Sequence, residues 1–375
     1  MIYHRHASRR AGERPRPLEG QLLRIWDIHV HFPRGGPGGP PGLVPPPTMP
    51  EAEDASGRRR GRGRGRAGAS AGPPQRTPQE AVDHLAERLR EVGTVKASLL
   101  CGGRFGLSYE QCIELAMKHE DLFVPHAAID PAEVTYERVY QLRAMGYRGF
   151  KIIGTPRPYD HPDHNPAYKA AQELNMPILF HCGVIGGGMD LLARHPRRDP
   201  ESAKRMREMD AAAAKARADY DEARRTWQPG QPEPQLPMGF RGGRETSATY
   251  MRPFHLETIA NRFPRLKIIG AHFGGTGNYD EAASVARWRR WVYFDMSGGR
   301  TLERHAVERG LIGKEIPIEK LVFGSDCAAD EVHEHVERFV RMFDELGLTE
   351  EEKDLLWYRN AAEMFGLEEP VWAQE

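Results

Sequence analysis

The stretch "RIWDIHVHF", residues 24–32, decides the fold. Ile25, Trp26, Ile28, Val30 and Phe32 suit a buried β-strand, and Asp27, His29 and His31 alternate with them. On a regular strand, side chains two apart point to the same side. The alternation therefore predicts three polar groups in a row along one face. Burying such a row is costly unless every member is partnered, and a metal ion satisfies two neutral imidazoles at once. Two other His-x-His pairs serve as controls. His4 and His6 lie in an Arg-rich opening with no apolar frame. His333 and His335 lie in "DEVHEHVERFV", a helical pattern on which residues two apart diverge by about 200°. Only His29 and His31 sit in a strand.

Seven further short apolar runs follow: "VKASLLC" (95–101), "LFVPHAAI" (122–129), "YRGFKII" (147–153), "PILFHC" (177–182), "LKIIGAH" (266–272), "WVYFDM" (291–296) and "LVFGSD" (321–326). Helical patterns such as "PQEAVDHLAERLREVG" and "PAYKAAQELN" separate them. Strands alternating with helices imply parallel pairing, because parallel neighbours need long crossovers. Eight such units predict an α/β fold of the (β/α)8 TIM-barrel type. An open doubly wound sheet is the alternative, but no G-x-G-x-x-G follows any strand.

Two segments interrupt the rhythm. Residues 34–77 are Gly, Pro and Arg with almost nothing to bury, which predicts a disordered insertion after the first strand. Residues 189–250 include "ESAKRMREMDAAAAKARADYDEARRTW", a long charged helix inserted after the fifth strand. It falls on the face where barrel active sites lie and serves as a lid, a contact surface or a solvated excursion. The chain thus divides into a flexible tail, 1–23, and a barrel, 24–375, that carries both insertions.

Lys plus Arg and Asp plus Glu are equal at 53 each, so no global charge points to nucleic acid or membrane. No apolar run approaches the length of about 18 residues that spans a bilayer, and the opening residues lack the apolar core of a secretory signal. Four scattered cysteines without a C-x-x-C fit a reducing cytoplasm. The expected partner is a small-molecule substrate, with no membrane; a homodimer is a possible assembly. "GRRRGRGRGR" could touch RNA or an acidic protein, but no aromatics interleave its arginines, and a solvated linker is the expectation.

His29 and His31 lie on strand one and Lys151 on strand four. His181, His272 and Asp326 end strands five, six and eight. In a barrel these ends converge on one mouth. A lone strand-end histidine is commonly a hydrogen-bonded core residue, but four histidines and a carboxylate together form the mixed ligand set of a catalytic zinc with an open position.

Asp27-Ile-His29-Val-His31, "GFK" ending at Lys151, "FHCG" around His181, "AHFGG" around His272 and "FGSD" ending at Asp326 resemble the amidohydrolase superfamily. More narrowly they resemble its amidohydrolase-related branch, which includes aminocarboxymuconate-semialdehyde decarboxylase and its relatives. The resemblance implies that His29, His31, His181 and Asp326 hold one divalent metal, with zinc first. It implies that His272 is the catalytic histidine or a ligand of a second metal, and that Asp27 orients a ligand from behind. Lys151 is ambiguous: binuclear relatives carbamylate a lysine at this place to bridge two metals, and mononuclear relatives do not use it as a ligand. The expected activity is hydrolysis of an amide, ester or lactone, with Asp326 as proton acceptor and His272 polarising the carbonyl or stabilising the oxyanion. The runner-up is non-oxidative decarboxylation. A third reading, from another class, is a non-catalytic barrel tethered by its Arg/Gly segment. Arg104, Arg157 and Arg252 could clamp an acidic substrate. Cys182 and Cys327 read as packing, and "GGTG" at 274–277 as tight turns or an anion cradle.

Overall fold

The computed structural model describes residues 23–33, 76–101, 107–185, 200–228 and 246–367, with the isolated positions 197 and 234. The 34–75 part of the Gly/Pro/Arg insertion, Arg104 and the tail before residue 23 lie outside the described residues.

Eight strands form one parallel sheet in sequence order: β1 (Ile25–His31), β2 (Thr94–Cys101), β3 (Phe123–Ala128), β4 (Gly149–Ile152), β5 (Ile178–Phe180), β6 (Ile268–Gly270), β7 (Val292–Asp295) and β8 (Leu321–Val322). The Ile28 N–H donates to the Phe323 carbonyl at 3.0 Å and the Asp326 N–H to the His29 carbonyl at 2.8 Å, so backbone beyond β8 meets β1. The result is the expected (β/α)8 barrel.

Helices pack outside. The first, α1 (Pro78–Glu91), starts where "TPQE" builds a capping box: Thr77 Oγ1 accepts the Glu80 N–H at 3.3 Å, and Glu80 accepts the Thr77 N–H at 2.7 Å. Alternation along the strands sorts the core into two shells. Ile178, Phe180, Ile268, Val292, Phe294 and Leu321 face the helices, whereas Leu179, Ile269, Tyr293 and Val322 fill the barrel. The last helical segment, Glu350–Met364, closes the N-terminal end of the barrel with Tyr358, Ala361, Ala362 and Met364. Phe365 stacks on Trp26 with ring centroids 4.6 Å apart.

The first strand departs from the sequence expectation. Asp27 pairs with Ala97 and Val30 with Leu99, so three steps on β1 oppose two on β2. This is a β-bulge, and it reverses the alternation. Trp26 and Ile28 point into the barrel, while Val30 and Phe32 point to the helices. His29 and His31 therefore face the interior, and Asp27 does not share their row. The expectation of three polar groups on one face assumed regular pairing, and one extra residue breaks it.

The charged insertion contains a helix at Pro200–Thr226, as expected. Ion pairs four residues apart line its exposed surface, such as Lys215 with Asp219 at 2.6 Å and Arg217 with Asp221 at 3.3 Å, the mark of a solvated helix. Among the described residues, no helix is long and apolar enough to cross a membrane.

Candidate active site

The bulge delivers His29 and His31 to the C-terminal mouth, where Asp326 meets them. His31 Nε2 lies 3.0 Å and His29 Nε2 3.7 Å from Asp326 Oδ1. One ligand atom from each of His29, His31 and Asp326 falls within 4.8 Å of the others. Gly324 makes this approach possible, because a Cβ there would stand 2.9 Å from the His29 Cβ. Asp326 and His272 both adopt left-handed backbone, with φ of 47° and 61°. Such conformations cost on the order of 1–3 kcal/mol at non-glycine residues and cluster at functional sites.

His29 is oriented from behind. Its Nδ1 lies 2.8 Å from Asp295 Oδ2, and this contact turns Nε2 toward the mouth. Burial first, then the Lys151 ammonium, push the His29 pKa down to about 4, so the ring is neutral at pH 7. With its proton on the Asp295 side, His29 Nε2 is a lone pair facing a carboxylate, two acceptors that call for a cation between them. The cation placed there by the fold is Lys151, whose Nζ lies 3.2 Å from His29 Nε2. Lys151 is fully buried, and that burial lowers its pKa. Burial raises the Asp326 carboxyl pKa, but the neighbouring His29 and His31 outweigh it and hold it well below the usual range. The donor set thus fits a divalent metal by its chemistry.

His181 and His272 stand at the same mouth. His272 Nε2 is 3.1 Å from His181 Nδ1, and the His29 and His272 ring centroids are 5.3 Å apart. His181 is not in the three-residue group; its Nε2 lies 3.3 Å from the Val184 carbonyl oxygen. Burial first, then His272, depress the His181 pKa well below its ordinary value. "AHFGG" and "FHCG" meet through glycine: a Cβ on Gly275 would come within 2.6 Å of Gly183 Cα. Close backbone packing accounts for that glycine pair.

The remaining expected site residues fall as follows. Asp27 does not touch an imidazole; its Oδ1 accepts the His29 N–H at 3.1 Å and the Ser325 N–H at 2.9 Å. It ties β1 to the turn that carries Asp326. Burial, opposed by these hydrogen bonds, raises its pKa to about 6. Arg157 pairs with Asp163, and Arg252 with Glu281, so both guanidinium groups are already engaged with carboxylates. Cys182 packs in the outer core shell.

Sequence reading missed Asp295 and Ser297. Asp295 Oδ1 accepts the backbone N–H groups of His272 at 2.9 Å and Ser297 at 3.0 Å, and the Ser297 hydroxyl at 2.6 Å. The signal was present: "WVYFDM" ends its strand in a carboxylate, just as "FGSD" does. His29, His272 and Asp295 also form a metal-sized group. Ser297 Oγ, however, lies 2.9 Å from His272 Nδ1 and 3.2 Å from His29 Nδ1, and its hydrogen bonds join that group.

Comparison with known proteins bears on the family and the fold. The family model Amidohydro_2, described as amidohydrolase, matches residues 26–367. The chain belongs to the amidohydrolase family. Among solved structures it is similar to a probable 2-pyrone-4,6-dicarboxylic acid hydrolase from Acinetobacter baumannii with citric acid bound. The identity is 13%, over 92% of this chain and 100% of that one, with a TM-score of 0.52. It is also similar to an uncharacterized TIM-barrel protein from Bordetella bronchiseptica, at 15% identity over 77% of this chain and 84% of that one, TM-score 0.50. At these identities the likeness speaks to the fold. No curated protein matches the sequence.

Proposed function

We propose that this protein is a metal-dependent hydrolase that cleaves an amide, ester or lactone bond of a small molecule in the cytoplasm, using one divalent ion, zinc. The observation that carries the reading is the meeting of one ligand atom each from His29, His31 and Asp326 within 4.8 Å at the barrel mouth. His29, His31, His181 and Asp326 would hold the ion. A bound divalent ion supplies Lewis acidity and lowers the pKa of water to about 7.

The residues of the chain supply the rest. Asp326 accepts the proton of the attacking water and returns it to the leaving group, a role suited to a carboxylate kept ionised by its histidine neighbours. His272, beside His181, would polarise the substrate carbonyl or stabilise the developing oxyanion. Asp295 and Asp27 hold the reacting groups in place. The 200–226 helix belongs to the insertion after β5, which would serve as a lid, a contact surface or a solvated excursion.

Hydrolysis is preferred to decarboxylation because Arg157 and Arg252 are already paired with acids, leaving less cationic character to clamp a carboxylate. The similar Acinetobacter protein is named as a hydrolase of a pyrone dicarboxylic acid, which places lactones first in a screen. The test is metal analysis of purified protein with a panel of lactones, esters, amides and aromatic carboxylic acids. Zinc-dependent release of acid from a lactone, ester or amide supports the proposal. Carbon dioxide release without hydrolysis would replace it with decarboxylation.

A further inference from the structure

We propose that Tyr159, on the loop after β4, is the positioning residue of His181: its hydroxyl fixes the peptide that aims this imidazole at the mouth. The proposal rests on the metal-site reading above and extends it to a residue that touches neither ion nor substrate. His181 is the expected ligand that lies outside the three-residue group of His29, His31 and Asp326. What it contributes therefore depends on how it is aimed, and a site of this kind needs its side chains held within about 0.5 Å.

The need for such a group arises where β4 and β5 part. Pairing runs up to Ile152 opposite Phe180, and the His181 N–H still donates to the Ile152 carbonyl at 2.9 Å. The chain beyond β4 then turns away through Gly154, with left-handed backbone at φ 68°. The carbonyl of buried His181 stands past the end of that ladder and needs another donor. The Tyr159 hydroxyl donates to it at 2.8 Å. Two other mouth histidines are held by backbone instead. The His29 carbonyl accepts the Asp326 N–H and the His272 carbonyl accepts the Gly275 N–H, each at 2.8 Å. At His181 the donor is a side chain, which a substitution can remove without altering the main chain.

Tyr159 can do this because it is itself pinned. It is fully buried, and its ring packs on Phe180 with centroids 5.0 Å apart. Its N–H donates to the Tyr250 carbonyl at 3.1 Å. Its own carbonyl accepts the Tyr168 hydroxyl at 2.8 Å and lies 3.0 Å from His164 Nδ1. Two residues past His181, the Gly183 N–H donates to the Met251 carbonyl at 3.1 Å. The end of β5 is thus braced by the loop after β4 and by the return of the 189–250 insertion. With N–H and carbonyl both held, the direction of the His181 side chain is set. A tyrosine that only satisfied a buried carbonyl would add stability and leave the affinity for an ion unchanged.

The experiment is zinc affinity by chelator competition, with the visible spectrum of cobalt-substituted protein alongside. Tyr159→Phe should weaken zinc binding roughly 10-fold, the lower end of the scale for a group behind a ligand, and shift the cobalt bands. In a His181→Gln background the same change should leave affinity within about twofold, because the ligand it acts through is gone. Tyr147→Phe is the structural control: it removes another tyrosine hydroxyl from a backbone carbonyl, that of Tyr109 at 2.9 Å, and should leave zinc affinity unchanged. Incorporated at position 159, 4-aminophenylalanine is a weaker donor in the same place and should give a smaller loss; it replaces Tyr159→Phe in the comparison if that variant does not fold. Unchanged affinity in Tyr159→Phe, or an equal loss in both backgrounds, would overturn the proposal. A wild-type protein that binds no divalent ion would overturn it together with the functional reading, whereas metallated protein that hydrolyses nothing would remove only the latter.

Discussion

The two ends of the barrel are built from inward-facing residues of the same strands and obey different rules. At the closed end, Trp26, Leu179, Ile269, Tyr293 and Val322 meet Tyr358, Met364 and Phe365. Any set of apolar side chains of similar volume would serve there, because burial is non-directional. At the open end, two to five residues further along, stand His29, His31, His181, His272, Asp295 and Asp326. These work only in one orientation, fixed by hydrogen bonds and, at His272 and Asp326, by left-handed backbone. The closed end secures the fold, and the open end spends part of that stability on polar burial and strain.

The largest expected effects test this division at the open end. Asp326→Asn removes a ligand and the proton acceptor together, so zinc content should fall and turnover should drop by on the order of 10³ or more. His272→Ala should keep zinc at saturating metal and lose roughly 10² in turnover, the scale of one acid–base or oxyanion group. Wild-type turnover in metallated His272→Ala would remove that residue from the chemistry. At the closed end, Trp26→Ala should cost about 3–5 kcal/mol in denaturant unfolding. Turnover per bound metal should stay near wild type. A mouth that fails along with it would show that the ends are not separable.

The border between the two ends gives a smaller effect. His126, on β3, is fully buried, stacks on Phe365 with centroids 5.8 Å apart, and has no hydrogen-bond partner on either ring nitrogen among the described residues. Burial first, then Lys151 and His29, push its pKa down to about 3. The unfolded chain therefore takes up this proton near pH 6.5 while the folded protein does not. Stability is fully present above pH 6.5 and declines as pH falls toward 3, by about 1.4 kcal/mol per pH unit for the one proton. His126→Leu should flatten the pH dependence of unfolding by that one proton between pH 6 and about 4.5, with zinc retained. An unchanged slope would show that His126 is hydrated or partnered in solution.

The smallest effect is expected from the Gly/Pro/Arg insertion. Deleting residues 36–74 with a short linker should leave folding and zinc binding unchanged, since those residues have little apolar surface to bury. Loss of soluble, metallated protein would make the segment part of the barrel.

The same contrast explains what was legible in the sequence. Strand order, the barrel and the mouth histidines could be read because each strand announces itself by apolar residues and each strand end by a polar one. The bulge between Asp27 and Val30 could not, because an extra residue leaves no mark on an alternating pattern; it is defined only by pairing with Ala97 and Leu99. Ser297 was hidden for a related reason. A serine after a strand is ordinary, and its role arises from standing beside His272 and His29, which are 25 and 268 residues away in sequence. The closing role of Tyr358 and Phe365 depends on long-range packing of the same kind.

The central claim is that the mouth holds one metal ion and that Lys151 remains an ordinary lysine beside it. Its Nζ lies 3.2 Å from His29 Nε2, so metal entry requires the side chain to swing away or give up a proton, whereas carbamylation would turn it into a second bridging ligand. The direct measurement is metal per chain in wild type and Lys151→Ala, with and without bicarbonate. One zinc per chain in all four samples is the predicted result. Two metals in wild type with bicarbonate, with one lost in Lys151→Ala, would contradict the claim and make His272 a ligand.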